Sequence, residues 1–161
     1  MKTSWKRCLE FSNLAQAYAA RTKDQNTKLY YALNRVLNRI AAKQAFVNER
    51  IGDIEIDHCV TNEVGVITRD DRGDLQYTKE GIRERNKARR QFMDAVEIEI
   101  DPYFATALPD GLTELEIEAF AGFVISDQDA RSLLAKLEAE QEIELHPERN
   151  GDQPQVVGVA A

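Results

Sequence analysis

Sulfur and imidazole are scarce in this chain, which has two cysteines, Cys8 and Cys59, and two histidines, His58 and His146, in 161 residues. A structural zinc site needs about four such ligands at motif spacing, and the adjacent pair His58–Cys59 has no CxxC or HxxxH partner. No metal or other cofactor is therefore expected. Two isolated thiols point to free cysteines in a reducing compartment rather than to a disulfide framework. Long apolar runs are also missing. Lys2, Lys6 and Arg7 open the chain without an apolar stretch behind them, so neither a signal peptide nor a membrane span is expected, and the protein reads as cytoplasmic. Gly-rich phosphate loops, nucleophile elbows and Ser/His/Asp constellations are absent too, which removes most hydrolytic schemes. Basic charge is in deficit, with 21 Lys and Arg against 28 Asp and Glu, a net charge of −7 that argues against general affinity for nucleic acid or anionic membrane.

What the chain does hold is a heptad-spaced row: Leu33, Leu37, Ile40, Gln44, Val47, Ile51, Ile54 and His58. Alternating steps of four and three make this the seam of a long amphipathic helix that must pair with another helix. The length fits one domain, expected over residues 1–146 with a mobile Pro- and Gly-containing tail at 147–161. A first helix is expected over residues 4–20, with Ser4 as N-cap and Cys8, Phe11, Leu14, Ala15 and Tyr18 at helical spacing. The seam helix is expected from about Thr27 to about residue 51, with Gly52 weakening it, and over Ile54–Val60 strand and helix readings compete. Val64–Thr68 and Leu75–Thr78 flank an Asp- and Gly-rich turn, a β-hairpin pattern. Lys79–Val96 is a third, strongly cationic helix, expected to turn Ile82, Asn86, Phe92, Met93 and Val96 inward.

Val96–Asp101 alternates as a strand, for which Ile143–His146 is the expected partner. Thr113 with Glu116 forms a capping box, stapled by Leu112 and Ile117, and opens a helix over Glu114–Val124. Ser126 with Asp129 opens another, to about Glu140. The resulting fold class is α+β, predominantly α. A long antiparallel helical hairpin tipped by a β-ribbon packs on a small β pair and short C-terminal helices.

Three groups are candidates for function. The ribbon tip offers Asp70, Asp71 and Arg72, with Tyr77 beside them, as a binding surface. The clustered acids there do not follow the alternating ligands of an EF-hand loop, and a turn is the simpler account. Glu114, Glu116 and Glu118 could form a carboxylate patch that occludes a nucleic-acid-binding site on another protein. Asp53, Asp57 and His58 could serve a metal-assisted hydrolase, although their alternation does not obviously converge. The cationic stretch Lys79–Arg90 is interrupted by Glu80 and Glu84 and lacks interleaved aromatics, so nucleic acid is not its expected partner. The third helix has a poorer apolar face than the second, which leaves room for a homodimer along Leu33–Ile54.

Two stretches carry a resemblance. Lys28-Leu29-Tyr30-Tyr31-Ala32-Leu33-Asn34-Arg35 and Leu112-Thr113-Glu114-Leu115-Glu116-Ile117-Glu118-Ala119-Phe120, in this order of elements, resemble a loose group of small proteins from tailed bacteriophages and prophages. That group typically shows a Tyr-Ala-Leu-x-Arg run, a helical hairpin with a polar tip, a short β run and a Leu-Thr-x-x-Glu helix start. The resemblance spans roughly residues 10–125, and the C-terminal helix and tail depart from it. It implies phage origin and action in the host cytoplasm, and it transfers no active site. The combined expectation is a non-enzymatic protein that binds a host or phage protein, as an inhibitor or an assembly factor.

Overall fold

The computed structural model describes residues 1–145. The expected end of the domain at residue 146, His146 itself and the tail 147–161 lie outside the described residues. In chain order the elements are β1 (Lys2–Ser4), α1 (Trp5–Arg21), α2 (Lys28–His58), α3 (Lys79–Ala95), β2 (Glu97–Glu99), α4 (Glu114–Phe120) and α5 (Asp127–Leu145). The chain is mainly helical with a two-stranded antiparallel sheet.

Each helix start follows from a side chain that satisfies an orphan backbone N–H. Ser4 accepts from Arg7 N–H, Thr27 from Tyr30 N–H and Thr78 from Gly81 N–H. Thr113 and Glu116 complete both halves of the capping box. Leu112 and Ile117 are buried beside it, as a staple requires.

The core gathers Trp5, Cys8, Phe11, Ala15 and Tyr18 from α1 with Leu29, Ala32, Leu33, Val36 and Ile40 from α2. Ile117, Phe120, Phe123, Val124 and Ile125 close it from α4 and the turn behind it. Phe11 sits 4.6 Å from Phe123 and 5.7 Å from Phe120, and Tyr18 meets Phe120 edge-on at 6.1 Å. Such pairs contribute ~1 kcal/mol each beyond their buried area.

Several expectations are corrected. The partner of β2 is β1, in the register Lys2↔Glu99, Thr3↔Ile98 and Ser4↔Glu97, whereas Ile143–Leu145 continues α5. The segment before α1 is short enough to be overlooked as a strand, and its alternation shows only in Thr3, buried between exposed Lys2 and half-buried Ser4. Secondly, α2 does not stop at residue 51 but runs through Gly52 to His58, whose carbonyl lies against α3. Glycine costs a helix only ~1 kcal/mol, which packing readily offsets. Thirdly, α3 buries none of its residues fully, and Ile82 and Asn86 are exposed rather than inward. Finally, α4 ends at Phe120, because Gly122 at φ +76° turns the chain and Gly122 N–H reaches the Ile125 carbonyl.

Between α2 and α3 the chain makes two turns rather than one. Thr61 bridges Ile67 and Arg69 bridges Leu75, both antiparallel. Val64, expected in a strand, lies in the first turn, where the Asn62 side chain accepts from Val64 and Val66 N–H.

Candidate functional site

The turn residues named from sequence are organised by Asp70. Its carboxylate accepts from Arg72 N–H at 2.8 Å and Asp74 N–H at 2.9 Å, while Gly73, at φ +84°, closes the turn onto the Asp70 carbonyl. Asp71 and Arg72 are exposed at this end of the loop. Tyr77 stands apart from them at the foot of α3, where the Arg85 guanidinium lies 4.5 Å from its ring centroid. The neighbouring turn carries two well-exposed apolar side chains, Val64 at 87% and Val66 at 61%.

The three glutamates do not share one surface. Glu114 and Glu118 are exposed, but Glu116 is only 4% exposed. Its carboxylate accepts from the Arg21 guanidinium and from Thr113 N–H. Burial raises the Glu116 pKa, and the hydrogen bonds from Arg21 and Thr113 overcome that effect and hold it below its ordinary value. Glu116 therefore ties α1 to α4. A patch that needs all three carboxylates is not formed.

Asp53, Asp57 and His58 do not converge either. Asp53 pairs with Arg50 at 3.1 Å, Asp57 is exposed, and His58 Nδ1 lies 2.8 Å from the Ile54 carbonyl of its own helix. Among the described residues no group of three or more His, Cys, Asp or Glu is placed to hold a metal ion. The neighbouring Glu55 instead accepts from Arg89 of α3 at 3.2 Å, a half-exposed pair of small energetic weight.

A concavity lies elsewhere, at the start of α2. A groove of about 380 Å³ is lined by Asn26, Thr27, Lys28, Tyr31 and residues 103–106 of the loop after β2. Tyr31 and Tyr103 meet edge-on at 5.7 Å, and Phe104 stands beside them half-exposed. The Arg35 guanidinium lies 4.8 Å from the Tyr103 centroid and donates to the Tyr31 hydroxyl at 3.0 Å. Arg39 donates to the Asp101 and Pro102 carbonyls at 2.6 and 3.1 Å, which moors the loop to α2. The members of this group are far apart in sequence, and no motif joins them. One signal was available: from Gln25 to Asn48 the chain has four cations and no acid, although the protein as a whole is acidic.

No helix among the described residues is long and apolar enough to cross a membrane. No protein-family model matches the chain, and neither a curated protein nor a solved structure is found to be similar to it.

Proposed function

We propose that this protein works by binding another protein, with α2 and α3 acting as an antiparallel helical hairpin that presents its β-ribbon end as the docking surface. One observation supports this reading above the others. Between residues 41 and 95 Val47 alone is fully buried, while Phe46, Ile56, Val64, Val66 and Ile82 remain exposed. Apolar groups gathered away from the core on a two-helix arm gain most free energy when a partner covers them. The ion pair of Glu55 with Arg89 and the close approach of Gly81 to the His58 carbonyl support the antiparallel arrangement of the arm. The resemblance to phage proteins makes a host or phage protein in the host cytoplasm the expected partner, and inhibition or assembly the expected outcome. No feature of the site favours catalysis over binding.

The test is co-purification. Tagged protein expressed in a bacterial host should retain one protein at stoichiometric level, identified by mass spectrometry. The double variant Val64→Asp/Val66→Asp, at positions where no core contact is lost, should reduce that retention roughly tenfold or more. An unchanged melting temperature would show that the fold survives. Equal retention by both forms, or no stoichiometric protein with either, would remove the ribbon end as a docking surface.

A further inference from the structure

We infer that the first half of α2, together with the loop after β2, is a binding platform for single-stranded nucleic acid, separate from the ribbon end. The argument starts from charge. Lys28, Arg35, Arg39 and Lys43 are carried on one helix with no acid from Gln25 to Asn48. None of them forms an ion pair among the described residues. At about 100° per residue, Lys28, Arg35, Arg39 and Phe46 lie within about 40° of one another, a nearly straight row roughly 27 Å long. Asp24, at the head of this row, turns its carboxylate onto Asn26 N–H at 2.9 Å. A positive stripe on a negative molecule selects a polyanion locally and rejects it elsewhere.

Aromatic rings decide which polyanion. Tyr31 is 56% exposed and Phe104 47% exposed, and both border the groove. Tyr103 contacts both Tyr31 and the Arg35 guanidinium, so the ring and cation are already arranged before any ligand arrives. An acidic peptide would use the cations but has no need of open ring faces. Unpaired bases use both, stacking on the rings while their phosphates follow the cations. Duplex hides its base faces and would gain only the charge term. Within the stretch Lys79–Arg90, by contrast, no residue is aromatic.

The experiment is fluorescence anisotropy of a labelled thymidine oligonucleotide of about twelve residues, within the footprint of single-stranded platforms. In about 50 mM salt the full chain should bind it with a Kd on the order of 10 µM, and binding should weaken as salt rises. Tyr31→Ala and Phe104→Ala should each weaken binding roughly fivefold or more, whereas Tyr31→Phe and Phe104→Trp should retain it. Lys28→Gln should lower the dependence of log Kd on log salt by about one unit. Arg85→Gln, on α3, should change nothing. Absence of binding at protein concentrations roughly tenfold above that Kd would overturn the assignment, as would equal affinity for duplex or indifference to both alanine variants. Tighter binding of a poly-glutamate peptide than of the oligonucleotide would overturn it as well, and would give the stripe to an acidic protein instead. Lys28, Tyr31 and Phe104 are exposed, and circular dichroism of each variant separates loss of binding from loss of fold.

Discussion

Glu116 shows how one residue can satisfy a local and a long-range requirement together. Its side chain reaches back to Thr113 N–H, as the sequence pattern predicts, and also accepts from Arg21, 95 positions away in the chain. The second role has no sequence signature, since nothing in the spacing of residues 21 and 116 marks them as neighbours. Replacing one of the Glu116 oxygens with an amide NH2 sets a buried donor against the Arg21 or Thr113 donor, a cost of about 1–3 kcal/mol. Glu116→Gln should therefore lower stability by about 1–2 kcal/mol at pH 7, measured by urea denaturation. The pH dependence has a definite sign. A carboxyl held below its unfolded value of about 4.3 contributes stability that is complete above that value and is lost as pH falls through the folded one. Wild type should lose stability more steeply than Glu116→Gln below about pH 4.5, and parallel curves would show that the pair carries no linkage. Cys8 makes a smaller point at the same scale. Burial pushes its thiol up to about 11, so it behaves as a core hydrophobe and not as a nucleophile.

At the level of elements, two glycines in the α2–α3 pair should respond in opposite directions to the same substitution. A Cβ at Gly52 would meet nothing within 4 Å, so Gly52→Ala should stabilise the protein by about 0.5–1 kcal/mol through helix propensity alone. At Gly81 the same carbon would stand 2.8 Å from the His58 carbonyl oxygen. The helices would have to separate, and Gly81→Ala should destabilise by about 1–2 kcal/mol despite its better propensity. Thermal melts of the two variants provide the check, and stabilisation by both would mean that α2 and α3 do not approach as closely there. The length of α2 has the same origin. Periodicity marks Ile54 and His58 as part of the row, and contact with α3 holds the helix together past the glycine that weakens it.

Over the whole molecule, stability is unevenly spread. The aromatic cluster of α1, α4 and the turn behind α4 is fully enclosed, whereas the outer half of α2 and all of α3 are enclosed on one side at most. Such a region should open without the rest unfolding. Amides of residues 48–58 and 79–92 should accordingly exchange with solvent roughly tenfold or more faster, relative to their intrinsic rates, than those of residues 29–40. Uniform protection along α2 would show that the arm and the core unfold together. A docking surface on the less stable part and a cationic aromatic stripe on the more stable part would allow two ligands to be held at once. The first would be free to order on binding.

Much of this architecture is written locally. Helix starts at Ser4 and Thr113 are legible because a cap and the N–H group it satisfies are only three residues apart. The amphipathic row of α2 is legible for a similar reason, since its period repeats within the chain that carries it. The partner of β2, the burial of Glu116 and the meeting of Tyr31 with Tyr103 were decided only by the tertiary structure. Each depends on groups brought together from distant parts of the chain, and a three-residue strand has too few side chains to announce its neighbour.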